Sequence, residues 1–352
     1  MTFTRAEILR AGAEGSRGDA NDFQVAADQF LSEGDEPMAL AALDRAHGLA
    51  PGNAEVATMR ASLLDRQAIT EHGIAFRYVP AGTFLMGSRT GDPDERPVHP
   101  VRVDGFWIAD VPLSWDAYCR LSGWHPPPAG QPQDKPESAF YLAEANKIRR
   151  RYCETDTMRG RDWTAYTYDR KPMVAVGWDE AEALAQALSS DAIEYALPTE
   201  AEWEKAARGG LIGKRYAWGD EAPTPARCDF DNFGAFSIVD PRALPANGYG
   251  VHAMCGGVWE WTATVYDALA YVGLETPAID AAIYERSRRD PPPGDEPQQR
   301  VLRGGSWSDN AAAVTVSFRS AGVGLGWQTG WSDAFTPNVG FRLVRRVAVP
   351  EQ

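Results

Sequence analysis

Cysteine and histidine are scarce in this chain, with four and five among 352 residues. Cys119, Cys153, Cys228 and Cys255 lie far apart and form no CxxC pair. Spacing therefore offers no thiol motif, and they read as reduced thiols. No stretch approaches the roughly 18 apolar residues needed to span a bilayer. The N-terminal MTFTRAEILRAGAEGSRGDAND lacks the apolar centre of a signal peptide, so the expected location is the cytoplasm. Positive charge is in deficit: 35 Lys and Arg stand against 49 Asp and Glu, a net charge of -14. That balance excludes nucleic-acid binding through a broad basic surface. The one basic run, Arg149-Arg150-Arg151, reads as a solvated helix end.

Glycine (33), proline (25) and tryptophan (12) are plentiful. With 44% hydrophobic and 24% charged residues, the composition is that of a globular chain. The mix points to a loop-rich fold with tight turns and aromatic anchors. The length suits one large domain with a small one, or two ordinary domains.

Residues 1–72 are alanine-rich and helical in pattern. Phe23, Ala26, Ala27, Phe30 and Leu31 fall at helical spacing, and Gly34-Asp35 breaks the run. Ala39, Leu40, Leu43, Ala46 and Leu49 share the face of a second helix, which Pro51-Gly52-Asn53 ends. A third helix starts at Ala54. The segment resembles one and a half tetratricopeptide repeats, too few to stack into a solenoid. It is expected either to pack on the main domain or to serve in docking a protein partner or in self-association.

The texture changes near residue 74. FRYVPAGTFLMGS reads as strand, turn and strand, and VHPVRVDGFWIADVPLS continues with short strands. Helices are expected at Trp115 to Leu121, capped by Ser114, and at Trp178 to Leu188. Another follows Thr199, with Glu202 completing a capping box and Gly209-Gly210 ending it. Residues 123–171 and 264–298 fit no regular element and read as insertions. The expected class is α+β with much irregular structure, preceded by a small all-α segment.

Seven motifs then appear in order: VPAGTFLMGS, ERPVHPVRVDGFWI, LPTEAEWEKAARGG, YAWGDE, NGYGVHAMCGGVWEW, RVLRGGSW and NVGFRLVR. Together they resemble the formylglycine-generating enzyme (sulfatase-modifying factor) superfamily, over about 74 to 346 within a domain of 73–348. The resemblance implies a variant of the C-type lectin fold. It fixes architecture better than activity, because members include copper oxidases, iron sulfoxide synthases, siderophore-tailoring enzymes and display proteins that only bind ligands.

For the copper-dependent members the resemblance implies two thiolates just after RGGSW, a soft donor pair suited to Cu(I). Those positions are Asp309 and Val314 here. The five histidines do not form the helical HxxxH and HxE pattern of the iron type. Asp309, Cys255 and His252 remain as catalytic candidates, and His125 as a further metal ligand. The resemblance also implies structural Ca2+, with Asp229, Asn232 and Glu260 as candidate ligands, although Ala253 stands where one site would have Asn. The groove under RGGSW would be lined by Trp259, Arg303, Ser306 and Trp307, joined by Arg319, Trp327 and Trp331. The expected function is binding of a small molecule or peptide in that groove, as a tailoring oxidoreductase without the copper cysteine pair. The alternative is a non-catalytic ligand-binding or scaffold protein.

Overall fold

The structure is a computed structural model, and it describes residues 3–11, 18–123, 170–174, 176–232, 238–274, 279–280, 298–323 and 338–348. His125, Arg149 to Arg151, Cys153, Trp327, Trp331, most of the 123–171 insertion and much of the 264–298 insertion lie outside these residues.

Four helices open the chain: α1 (Arg5–Arg10), α2 (Ala20–Ser32), α3 (Glu36–Leu49) and α4 (Ala54–Arg66). Their starts are set by side chains that take up orphan amide groups: Thr4, Asp19, Asp35 and Asn53 each accept from the first turn. Phe23, Ala26, Ala27 and Phe30 bury one face of α2, and Ala39, Leu40, Leu43 and Ala46 bury the matching face of α3. Leu49 departs from the expected stripe. It lies in the last turn, beyond the reach of its neighbours, and is 41% exposed.

The described residues beyond α4 build three small sheets. The largest runs in the order β1 (Ile69–Glu71), β2 (Ile74–Val79), β5 (Phe106–Ala109), β12 (Val344–Val347) and β6 (Ile193–Ala196). A second orders β10 (Arg319–Val323), β9 (Gln299–Arg303), β7 (Trp259–Val265) and β11 (Val339–Gly340). The third joins β3 (Gly82–Met86), β4 (His99–Val103) and β8 (Ile279–Asp280). Pro80-Ala81 bends the chain from β2 into β3 at the expected place, but not as a hairpin: β2 pairs with β1 and β5 and β3 with β4, so the bend carries the chain from one sheet to another. Pairing is antiparallel except for β11 on β7 and β8 on β4. Among the described residues three further α-helices pack among the sheets: α5 (Trp115–Ser122), α6 (Trp178–Leu188) and α7 (Glu200–Arg208). Among the described residues, no helix is long and apolar enough to cross a membrane.

α7 is the pivot. Thr199 caps it with Glu202 in a reciprocal capping box, and Gly209 ends it in the left-handed conformation at φ 58°. All nine of its residues are buried, including Glu200, Glu202, Glu204, Lys205 and Arg208. A helix charged on several faces cannot sit in a core unless each charge meets a partner. Glu204 meets Arg303 of the RGGSW motif, Glu200 meets Arg319 and Glu202 meets Arg346, while Lys205 and Arg208 donate to carbonyls near β3.

The opening helices share a core with the domain. Phe23, Leu40, Leu43 and Val56 belong to one apolar cluster with Tyr78, Val79, Met86 and Trp203. Arg60, buried in α4, fastens the two parts. It donates to Asp44 at 3.0 and 2.7 Å and to the carbonyls of Gly248 and Gly209 at 2.6 and 3.1 Å. Its guanidinium lies over the Tyr249 ring, whose hydroxyl donates to Asp44 at 2.7 Å.

Candidate functional site

The RGGSW motif leaves β9 through two glycines in left-handed conformations, Gly304 at φ 97° and Gly305 at φ 70°. At Gly305 the space is closed as well as the dihedral: an added Cβ would stand 2.8 Å from Val314 Cγ1 and from the Ala313 carbonyl. This turn lays Ser306, Trp307, Ser308 and Asp309 over the end of β7. Trp307 donates its amide to the Gly257 carbonyl at 2.9 Å.

Four side chains then meet. The Ser306 hydroxyl donates to the Asp309 carboxylate, and the Ser306 amide reaches the same oxygen at 2.9 Å. The hydroxyls of Ser306 and Ser308 lie 3.0 Å apart. The Asn338 amide donates to both, at 3.0 and 3.1 Å. Ser308, Asp309 and Asn338 are half-buried, while Ser306 is fully covered. Trp259, nearly buried, leans on the Phe318 ring at 5.9 Å, and its amide donates to the Asn338 carbonyl at 2.7 Å. The result is a small cluster of hydroxyl, carboxamide and carboxylate groups beside aromatic rings.

Behind it, Arg303 does not face a groove. It is fully buried, pairs with Glu204, and donates to the carbonyls of Val316, Ser317 and Phe318 at 2.6 to 3.0 Å. Burial opposes its charge, but Glu204 and Glu200 together outweigh that and raise its pKa. Arg319 is buried against Glu200, at 2.6 and 3.2 Å, with its guanidinium 4.5 Å from the Tyr271 ring. The two arginines expected to contact a ligand are therefore internal struts, since a buried guanidinium is tolerable only where carboxylates surround it. Trp307 is likewise buried.

The two positions where the resemblance implies copper thiolates carry other side chains, as expected. Asp309 carries a hard carboxylate already engaged by Ser306, and Val314 is fully buried in the apolar core. This pair does not fit a thiolate-bound copper ion.

The calcium expectation fares differently for its three residues. Asp229 and Asn232 are together, with the Asn232 amide 3.5 Å from Asp229 Oδ1 and the Val239 amide on Oδ2 at 2.9 Å. Glu260, expected at a separate calcium site, is committed to donors of the protein. Arg342 donates to both its oxygens at 2.6 Å, and the Trp203 indole adds a bond at 2.8 Å. Its lone pairs are occupied by a cation of the protein itself. Among the described residues, no three His, Cys, Asp or Glu side chains are grouped to hold a metal ion.

The three catalytic candidates are not assembled either. The His252 ring bonds to the Leu244 carbonyl at 2.8 Å, Asp309 serves Ser306, and Cys255 is buried beside Cys228. Burial pushes the Cys255 thiol up to about 12, far from a reactive thiolate. His99 is buried, bonded to the Pro97 carbonyl at 3.0 Å and packed on Tyr271.

Sequence reasoning passed over Ser308 and Asn338 at the site, and Glu200, Glu204 and Arg342 beneath it. A signal was present: Asn338 and Arg342 open and close the NVGFR run, and EAEWEKAAR carries more charge than a helix with a buried face should.

Comparison with known proteins completes the picture. The sulfatase-modifying factor enzyme 1-like domain matches residues 64–347. The serine/threonine-protein kinase pkn1 of Chlamydia caviae is 30% identical over 233 residues, covering 65% of this chain and 32% of that protein. The chain thus spans about a third of the length of this relative. The formylglycine-generating enzyme of Streptomyces coelicolor is 30% identical over 300 residues, covering 75% of this chain and 87% of the enzyme. The hercynine oxygenase of Mycolicibacterium thermoresistibile is 31% identical over 277 residues, covering 69% and 56%. Among solved structures, PvdO from Pseudomonas aeruginosa superposes with a TM-score of 0.53 at 20% identity, over 80% of this chain and 98% of that one.

Proposed function

The chain belongs to the sulfatase-modifying factor enzyme 1-like domain family, and from that premise we propose that it is a recognition protein that binds a small polar molecule or peptide at the Ser306–Ser308–Asp309–Asn338 cluster. The observation that carries this reading is the pair Asp309 and Val314. At the two positions where the resemblance asks for copper thiolates, one residue closes a hydrogen-bonded turn and the other fills the core. What stays half-open is Ser308, Asp309 and Asn338, a set of donors and acceptors beside Trp259 and Phe318. Few convergent polar groups against aromatic rings are the usual makeup of a small-ligand site.

The test uses the full chain expressed with copper, iron and calcium supplied. Reaction with a cysteine-containing peptide in air is expected to leave the cysteine unchanged. Screening a fragment and peptide library by thermal shift is expected to give ligands whose stabilisation falls at least tenfold in affinity in Ser308→Ala and Asn338→Ala. Aldehyde formation on the peptide would refute the proposal, as would ligands indifferent to both substitutions.

A second reading rests on one observation, the all-oxygen character of the cluster. Two hydroxyls, a carboxylate and a carboxamide are donors that a hard cation accepts. Stoichiometric iron or calcium in the purified chain, lost in Asp309→Ala, would move the balance towards a metal-assisted reaction like those implied by the relatives' names.

A further inference from the structure

Cys228 and Cys255 lie directly behind the site loop. A parallel bridge pairs Asp229 with Gly256, which sets the two preceding residues side by side. The Cys228 thiol already points across, donating to the Cys255 carbonyl at 3.0 Å. A Cβ at position 256 would come within 2.7 Å of the Cys228 sulfur, so the glycine is what leaves the thiol its place. Both thiols are free and buried. Cys255 also lines a cavity of about 180 Å³ walled by Ala217, Trp218, Pro245 and Met254, which has room for a small oxidant.

The segment that starts at Cys228 is the brace of the loop. The Asp229 carbonyl accepts from the Gly257 amide at 2.8 Å. The Asp231 amide donates to the Asp309 carbonyl at 2.8 Å and the Asn232 amide to the Trp307 carbonyl at 2.7 Å. Any bond that pins residue 228 therefore acts three and four residues away on the turn that presents Ser308 and Asp309.

We propose that Cys228 and Cys255 form a reversible dithiol–disulfide pair whose oxidation pins the brace behind the site loop. With hydrogen peroxide as oxidant, one sulfur attacks a peroxide oxygen, the O–O bond breaks and water leaves, giving a sulfenic acid. The second sulfur attacks the first, the S–S bond forms and a second water leaves. Two thiols lose two electrons, the peroxide gains them, and both thiol protons end in water. Burial raises both thiols, Cys255 to about 12 and Cys228 further with Cys255 and Asp229 adding to it, so the thiolate is rare at neutral pH. The reaction is slow there and speeds up by about tenfold for each pH unit.

The formation of the bond stands on this geometry alone, while its effect on ligand recognition rests on the reading of the loop given above. The two are separated in one experiment on the full chain. After hydrogen peroxide treatment, free thiols are alkylated and the chain is digested without reductant for mass spectrometry. A peptide pair joined through Cys228 and Cys255, faster to form at higher pH and released by dithiothreitol, is the expected result. Recovery of both cysteines as separate alkylated or sulfinic forms, or joined instead to Cys119 or Cys153, would overturn the pair. Hydrogen exchange of the oxidised chain is then expected to slow at residues 229–232 and 307–309, with no slowing in Cys228→Ser treated in the same way. Unchanged exchange at 307–309 would overturn the coupling to the site. Neither readout needs a ligand, so its failure is distinct from failure of the recognition proposal.

Discussion

Two ends of the RGGSW motif are held by opposite means. At Arg303 the chain buries full charges and surrounds each with carboxylates and carbonyls, to the exclusion of water. At Ser306 to Asp309, only a few residues on, neutral hydroxyls and an amide meet a carboxylate that is half-open. A buried ion pair of the first kind is rigid because removing either partner strands a charge in a low dielectric. A cluster of the second kind can exchange one hydrogen bond for another, with a ligand as the new partner, at little cost. The motif is one string of letters, but its arginine belongs to the frame and its serines to the surface that the frame presents.

The contrast is broken most severely at the frame. Arg303→Met should lower stability by about 3–5 kcal/mol, because the buried carbonyls of Val316, Ser317 and Phe318 would lose their donor and Glu204 would keep only Arg208 as its cation. Urea denaturation with an unchanged slope would measure it. A loss below about 1 kcal/mol would mean that the network is already hydrated and that the distinction drawn above is mistaken.

Lys205 sharpens the comparison from the same helix. It is as buried as Arg303, yet its ammonium donates to the carbonyls of Pro80 and Gly82 rather than to a carboxylate. Burial lowers its pKa from the ordinary 10.5 to about 8. Between these values the unfolded chain holds a proton that the folded chain has released, so stability rises with pH through this window and is flat below it. The wild type should gain on the order of 2 kcal/mol relative to Lys205→Met between pH 8 and 10. Parallel curves for the two proteins in thermal melts would show that the ammonium is well solvated.

The smallest effect belongs to the site. Asp309→Ala removes an acceptor for the Ser306 amide and hydroxyl but leaves the frame intact. It should cost about 1 kcal/mol, with hydrogen exchange faster at 306–309 and unaltered in α7. Global destabilisation on the scale of Arg303→Met would erase the difference between the two ends.

Much of the frame could be read before any coordinates. α7 was legible from end to end because its caps and glycine stop are local signals, and the bend at Pro80-Ala81 and the start of α5 were legible for the same reason, whereas the partners of β2 and β3, which lie in different sheets, were not. What could not be read was the direction in which charges turn. Glu260 pairs with Arg342 across 82 positions and Arg303 with Glu204 across 99, and such pairings leave no periodic trace. A glutamate in a motif then looks like a cation ligand, and an arginine beside tryptophans looks like a ligand contact. Leu49 shows the same limit on a smaller scale, since helical spacing names a face but not where the neighbour covering it ends.

The clamp of Arg60 on the carbonyls of Gly209 and Gly248 has a practical consequence. The change of texture near residue 72 looks like a place to cut, and an expression fragment starting there would seem natural. Such a fragment would present Tyr78, Val79 and Met86 stripped of the helices that cover them, and would be prone to precipitate. Any protein engineer wishing to transplant this scaffold must carry the first seventy residues along with it, as one would keep the lid soldered to a vessel.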